Sequence, residues 1–471
     1  MEMRVLLALP PDSHECEIYK VTGIRAPPLG LGYVASVLES LGHKVTIIDS
    51  PTLRISTKEF MVKVKEFKPD IIGLSIQTPL APKAYRTAKL LKEELNDIVI
   101  IAGGIHPTFL YKEALSNGID IVVRGEGEET IRELVEVIEK YGSSEEVLKK
   151  VRGIAFKNKE GKVITTQLRN YILDLDKVPS PARHLLPMDK YTLFNKSIRV
   201  AHVMASRGCP YGCIFCSTSY FWGRRIRFRS ALNVVNEVEE IVDKYKAKYI
   251  VFTDDELVSN RRFTHEFIRE IRERGLDIVF TAGARVDHVN KDYLKFLYDN
   301  GCVALYFGVE SASQETLNKV GKGITLDQVR RVFRWVKELR GFATGSFMLG
   351  FPWERVEDLE NTIKFAIELD PSYAQFTIVT PYPGTPLYNF AKENNLIVDT
   401  DWEHYTTLKP VMRGFHLNPQ TIYRYLKKAY YKFYLRLGFL WRELKEGRFH
   451  ELIRILLKEL GSYVFEKLLI R

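Results

Sequence analysis

Short unbroken apolar runs alternate with amphipathic stretches along the first part of the chain. RVLLALP (4–10) reads as a buried strand, PLGLGYVASVLESLG (28–42) as a helix stopped by Gly42, and KVTIID (44–49) as the next strand. The alternation continues through helix 57–67, strand 70–76, helix 82–95, strand 97–104, helix 109–116, strand 119–125 and helix 127–141. Strands that are apolar at every position are covered on both faces, and a helix after each strand makes the connections parallel crossovers. The expectation for residues 1–145 is therefore a doubly wound α/β domain. Such sheets bind ligands at the carboxyl ends of their strands, here the loops after Pro10, Ile76, Gly104 and Gly125.

The periodicity lapses over 146–195, where FKNKEGKVITTQ reads as a hairpin and DKVPSPARHLLP as a proline-bearing connector. These residues are expected to be a linker. A second strand and helix series follows over 196–395: strands 198–205, 247–254, 277–285, 303–311, 343–351 and 373–381, with helices 230–245, 260–274, 290–299, 325–339 and 355–369 between them. Six repeats of this unit suit a partial (β/α)6 barrel with its chemistry at the carboxyl strand ends. From 396 to 471 the chain turns aromatic and basic, as in YRYLKKAYYKFYLRLGFLWRELKEG, which fits amphipathic helices.

Composition narrows the picture. With 471 residues, 45% apolar and 27% charged, the chain is long enough for two or three globular domains. Its apolar start is too short for a signal peptide, and no run approaches a membrane span, so a cytoplasmic location is expected. The net charge of +10 is concentrated at the end: residues 401–471 carry 14 Lys and Arg against 7 Asp and Glu. Such a tail is either an ordinary solvated helix face or a surface for an anionic partner, including peripheral contact with a membrane.

Five cysteines in a cytoplasmic chain point to metal ligation or simple burial more than to disulfides. Cys16 and Cys302 stand alone, and a core position is expected for each. Cys209, Cys213 and Cys216 share the segment SRGCPYGCIFCS (206–217), at C-x3-C-x2-C spacing, at the end of the first strand of the second series. A structural zinc site would need a fourth ligand, for which His202 is the local candidate. An iron-sulfur cluster held by three cysteines instead leaves one iron open to a small molecule.

The spacing, its strand-end position and the aromatic Phe215 before the last cysteine resemble the radical S-adenosylmethionine (SAM) superfamily. The resemblance implies a 4Fe-4S cluster whose open iron chelates SAM and an external electron donor for its reductive cleavage. It extends to other strand ends. FTDDE (252–256) places Asp254 and Asp255 where the family contacts the SAM amine, GARVD (283–287) offers Arg285, and FGVES (307–311) brings Glu310 and Ser311 to the sugar-contacting position. Duller roles compete: Asp255 as a helix cap, and Arg285 paired with Asp287 or Asp254. MLGFPWE (348–354) and PYPGTPLY (381–388) also look like family segments that shape the barrel rim.

The first domain resembles the Rossmann-like cobalamin-binding domain that precedes one radical SAM class. Ser75 in GLSIQTP and Gly103-Gly104 in IAGGIHPTF stand where such domains admit the cofactor's nucleotide tail, and VVRGEGEET (122–130) adds Glu126 to the expected cofactor-binding residues. A large flat ligand needs backbone without side chains at such loops. The sequence departs from the cobalt-ligating D-x-H-x-x-G pattern, reading DSHECE (12–17) with Glu17 in place of the glycine, so a cobalt bond from His14 is not expected.

Together these resemblances imply a cobalamin-dependent radical SAM enzyme that performs C-methylation or C–C bond formation at an unactivated carbon of a small-molecule, lipid-like or otherwise amphipathic substrate. The alternatives are a lipid or tetrapyrrole cyclase without methyl transfer, a methylthiotransferase-like enzyme, and a non-catalytic iron-sulfur or cobalamin carrier. A nucleic-acid partner is not expected. No catalytic side chain is singled out beyond the cofactor contacts.

Overall fold

The structure, a computed structural model, describes residues 2–17, 19, 25–95, 98–191 and 198–445. Strands β1 (Arg4–Leu9), β2 (Lys44–Asp49), β3 (Ile71–Ser75), β4 (Val99–Gly103) and β5 (Ile121–Val123) form a parallel sheet in the order β2-β1-β3-β4-β5. Strand order reverses between β1 and β3, the topological switch that opens a crevice in doubly wound sheets. Local signals set the helices between them. Helix Thr57–Phe67 starts at a Ser56/Glu59 capping box and stops where Lys68 turns left-handed.

The stretch expected as a linker is instead built into the molecule. Strands β6 (Ile154–Lys157) and β7 (Val163–Thr165) form the expected hairpin but extend the first sheet, β6 pairing antiparallel with β5. Beyond them Ala182, Leu186, Met188 and Tyr191 are buried in a core continuous with both domains. The Tyr191 hydroxyl donates to Asp49 at 2.8 Å, and Ala182 N–H to the Gly32 carbonyl at 3.0 Å. Gly32 admits this close passage, since a Cβ there would stand 2.9 Å from that of Pro181.

The second sheet is wholly parallel. Strands β8 (Val200–Val203), β11 (Tyr249–Phe252), β12 (Val279–Ala284), β13 (Cys302–Glu310), β14 (Ala343–Leu349) and β15 (Tyr373–Ile378) lie in the order β15-β14-β13-β12-β11-β8. Between β8 and β11 a short antiparallel pair, β9 (Ser206–Arg207) with β10 (Arg227–Phe228), closes the neck of the cysteine loop. The first and last strands of the six do not pair, so the barrel is partial and β15 has a free edge.

Helix Pro419–Tyr434 covers that edge by an unusual means. The Tyr434 hydroxyl accepts from Ala374 N–H (3.1 Å) and donates to its carbonyl (2.7 Å), and Tyr430 does the same at Phe376 (3.3 and 3.0 Å). Four helical residues rise about 6 Å and two strand residues about 6.6 Å, so tyrosines at i and i+4 meet every second strand residue. Part of the aromatic tail thus completes a sheet edge that would otherwise expose unpaired backbone. Among the described residues no helix is long and apolar enough to cross a membrane. Residues 446–471 of the expected C-terminal helical domain lie outside the described residues.

Candidate active site

The cysteine loop is held from several sides. Gly208 has φ +95°, and a Cβ there would stand 2.3 Å from the Arg225 carbonyl. Cys209 N–H donates to Gly223, Ile214 N–H to Val320, and Leu387 N–H to Ile214, all within 3.2 Å. Cys213 Sγ donates to the Gly321 carbonyl at 3.7 Å, and Phe215 packs edge-on to Phe351 at 6.0 Å. All three cysteines are free thiols. Burial pushes Cys209 up to about 12 and raises Cys213 and Cys216 as well. Bound iron would hold all three as thiolates against that burial.

That donor set fits the expected cluster better than a single ion. Among the described residues no three His, Cys, Asp or Glu side chains converge on one metal position, whereas the cysteines of a cluster ligate separate irons. His202 is buried on β8, its pKa pushed down to about 4 by burial and then by Arg183, and it does not join the three thiols. Cys16 lies in the first domain's core and Cys302 at the start of β13, as expected of lone cysteines.

The strand-end residues divide by what they already bond. Asp254 accepts from Ala205 N–H at 3.0 Å and from the Ser206 hydroxyl, so it fixes the neck of the cysteine loop; burial pushes it up to about 6. Asp255 is solvent-accessible although protein surrounds it closely enough to raise its pKa by desolvation, as on a cleft floor. Arg285 makes two 2.9 Å bonds to Asp287, donates to the Lys322 carbonyl at 2.7 Å, and lies 3.5 Å above the Tyr211 ring. The competing pairing foreseen for Arg285 is thus formed. Glu310 has φ +69° at a register shift of β13 and accepts from Lys322 Nζ at 2.7 Å. A left-handed non-glycine residue at a sheet terminus is strained backbone. Ser311 accepts from Ser313 N–H and donates to Glu354.

Several residues here escaped the sequence reading. Lys322, buried, sets its ammonium where it acts on Cys213 as well as Glu310. Tyr211 bonds His288 Nε2 at 2.6 Å, and His288 Nδ1 lies 3.1 Å from Glu256. Glu354 accepts from the Gly350 and Phe351 amides at 2.9 and 3.0 Å, shaping the rim after β14. Its place in MLGFPWE was the one available signal.

In the first domain Ser75 and Gly103 are register partners on β3 and β4. Gly104 has φ +100°, with the Ile76 carbonyl 3.0 Å from a hypothetical Cβ; beside Gly103 only Val123 comes within 4 Å, at 4.0 Å. Gly125, φ +81°, has nothing within that distance. Side-chain-free backbone at adjacent strand ends fits a broad ligand such as cobalamin. His14 sits on the turn Ser13–Glu15 with a buried, unpartnered Nδ1. His106, overlooked beside the glycine pair, is buried against Tyr85 (3.1 Å) and edge-on to Trp402.

Glu126 is placed otherwise than expected. Its Oε1 accepts from Arg207 (3.2 Å) and Arg227 (2.7 Å), and its Oε2 from Arg227 (3.0 Å) and Ile172 N–H (2.7 Å). Glu128 pairs with Arg207 as well. These contacts leave no site on Glu126 for a cofactor. They join the loop after β5 to the neck of the cysteine loop, while Phe109 abuts Gly384 beyond β15 and Trp402 donates to Glu113 at 2.9 Å. The carboxyl strand ends of the two domains therefore face each other.

A partial six-stranded parallel barrel with three free cysteines at its first strand end, facing a doubly wound domain with glycine-lined loops, defines a radical SAM enzyme carrying a corrinoid-binding domain. Residues 19–135 match the B12 binding domain and residues 203–366 the radical SAM superfamily. The chain is 41% identical over 436 residues to an uncharacterised methyltransferase of Pyrococcus horikoshii, covering 92% of this chain and 93% of the relative. It is 32% identical over 419 residues to an anaerobic magnesium-protoporphyrin IX monomethyl ester cyclase of Rubrivivax gelatinosus, covering 88% and 75%. Its fold matches the radical SAM methyltransferase TsrM of Kitasatospora setae, solved with cobalamin and a [4Fe-4S] cluster, at a TM-score of 0.68 and 19% identity over 85% and 76% of the chains. The protein belongs to the cobalamin-binding radical SAM enzymes, whose cofactors are a 4Fe-4S cluster, SAM and cobalamin.

Proposed function

We propose that this enzyme methylates an unactivated carbon of a small amphipathic molecule. The observation that carries the reading is the facing of the two strand-end surfaces, because hydrogen removal at one cofactor and group transfer from another must reach the same substrate carbon. When bound, the cluster and SAM supply a hydrogen-abstracting 5'-deoxyadenosyl radical and cobalamin supplies a methyl group. Cys209, Cys213 and Cys216 would hold the cluster, with Phe215 anchoring their loop. Asp254 keeps the neck of that loop in place, while exposed Asp255 would meet SAM at the rim that the buried Arg285, Glu310 and Ser311 would shape. Ser75 and Gly103 would leave room for the corrinoid tail, on a loop that Gly104 lets fold against the Ile76 backbone. An external donor would supply the electron.

The test is the full chain with its cluster rebuilt anaerobically and supplied with SAM, a reductant and methylcobalamin. Formation of 5'-deoxyadenosine supports the reading, and its absence overturns it. The resemblance to a cyclase keeps ring formation without methyl transfer as a second reading. Deuterated methyl groups on both methylcobalamin and SAM separate the two, since only methylation carries the label into product.

We further propose that the C-terminal helices rest on an anionic membrane surface. Helix Leu437–Lys445 leaves Leu437, Trp441 and Leu444 exposed at 85, 68 and 51%, along one stripe of a basic tail. Apolar residues on a basic helix suit the headgroup boundary. Co-sedimentation with phosphatidylglycerol vesicles but not phosphatidylcholine vesicles, lost in Leu437→Ser/Trp441→Ser, is expected; equal behaviour toward both vesicles refutes it.

A further inference from the structure

The inner face of the six-stranded sheet departs from an ordinary barrel interior. Strand residues alternate between faces. Leu305, Phe307 and Val309 of β13, Phe347 and Leu349 of β14, and Phe376 and Ile378 of β15 all pack into the core beneath the helices. The intervening positions therefore point inward. In a closed barrel such positions are filled by bulky branched side chains. Here the polar Thr281, Tyr306, Thr344, Ser346, Gln375 and Thr377 stand among the apolar Val251, Val279 and Met348. Tyr306 is 40% exposed in mid-strand, and Gln375 is exposed beside it.

Tyr306 and Gln375 bond each other, the phenol donating to the amide oxygen, and Ser346 also bonds the phenol. The amide hydrogens of Gln375 and the second lone pair of Tyr306 remain for a guest. Protein crowds the Tyr306 ring enough to raise the phenol to about 12, yet the side chain is accessible, as in a chamber wall. Tyr306 lies four residues below Glu310, about 13 Å down the strand from the rim. Among the described residues, no inward position of β11 to β15 below that rim carries a charged side chain.

We propose that this face is the acceptor chamber and selects a neutral molecule, whose hydroxyl, carbonyl or amide group bonds Tyr306 and Gln375 while the carbon to be modified lies above, at the rim. This rests on the function proposed above and adds the substrate class. Glu310 and Lys322 lie over Gly308, above Tyr306, but bond each other, so a carboxylate, phosphate or ammonium at the chamber floor would be desolvated without an unpaired counter-charge, which is strongly unfavourable. A neutral polar group there completes hydrogen bonds that are otherwise left open, and sites of this kind reject analogues that leave them unmade.

The experiment uses the full chain with its cluster rebuilt and four probes of one chain length: hexanamide, 1-hexanol, hexanoate and hexylammonium. Binding is followed by saturation-transfer NMR in the wild type, Tyr306→Phe and Gln375→Leu, with cluster absorbance and circular dichroism reporting an intact fold. The amide and alcohol are expected to bind the wild type at least about tenfold more tightly than either ion, a hydrogen bond's worth of affinity, and each variant to erase most of that preference. Equal binding of all four probes, no binding of any, or a preference unchanged in both variants overturns the proposal. Loss of 5'-deoxyadenosine formation with the probe preference intact would instead count against the wider function alone.

Discussion

Replacing Glu126 by Gln should loosen the two domains where their strand ends meet. Each carboxylate oxygen accepts two donors, Oε1 from Arg207 and Arg227, Oε2 from Arg227 and Ile172 N–H. Whichever oxygen becomes the amide nitrogen, two donors then face a donor. Arg207 keeps Glu128, but Arg227 keeps only uncharged acceptors: the remaining Gln oxygen and the carbonyls of Ile172 (2.6 Å) and Trp222 (2.9 Å). The side chains of Glu126, Arg207 and Arg227 are only 5, 2 and 3% exposed, so water does not replace the lost charge. Breaking one side of a buried ion pair costs about 3–5 kcal/mol. At about 1.4 kcal/mol per decade, that opens the interface some hundred- to few-thousand-fold more often. Hydrogen exchange by mass spectrometry on peptides spanning 124–130, 170–174 and 205–229 reads this directly. In a two-domain chain it is a better measure than one global midpoint. Adding Arg227→Met should recover part of the loss, because the stranded cation is gone. Wild-type exchange in all three peptides of the Gln variant would refute the assignment of Glu126 as the interdomain tie.

Serine at Cys209, Cys213 or Cys216 should each abolish the iron-sulfur absorbance and most bound iron after reconstitution, whereas Cys16→Ala should leave both unchanged. Glu354 is pushed up to about 8 by burial, against an ordinary value of 4.5. Its stabilising contribution is therefore complete below about pH 4.5 and is lost as pH rises through 8, with a ceiling near 5 kcal/mol at about 1.4 kcal/mol per unit. Denaturation midpoints should fall more steeply between pH 5 and 8.5 in the wild type than in Glu354→Gln; parallel slopes would refute the burial argument. Tyr430→Phe and Tyr434→Phe each strand an N–H and a carbonyl of β15, costing about 1–3 kcal/mol and speeding amide exchange at Phe376 and Ala374 respectively.

The βα rhythm of both domains was legible because helix and strand periods are local properties. The capping box of helix Thr57–Phe67, unread in the sequence, is local in the same way: Ser56 and Glu59 lie three residues apart and bond each other. The cysteine loop could be read because its three ligands fall within one turn of chain. Partner choice could not. Arg207 and Arg227 reach Glu126 across 81 and 101 residues, and Tyr430 reaches Phe376 across 54. Nothing in the periodicity of VVRGEGEET distinguishes an interdomain carboxylate from a cofactor contact.

The sequence by itself determined two parallel α/β units, their order, the loops at which each could bind a ligand, and the three thiols of one such loop. These follow from hydrophobic period, turn residues and short-range spacing, which act before the chain is folded. Tertiary structure alone decided that the hairpin of the connecting segment joins the first sheet, that tyrosines finish the edge of the second, that Glu126 ties the domains, and that Lys322 holds Glu310. It also decided that the inner face of the barrel stays open, since a threonine on a strand reads the same whether it faces solvent or a chamber. The reason is common to all of these: which groups lose water together is set by the packing of distant segments, and it is that shared desolvation which turns a surface charge into a buried tie.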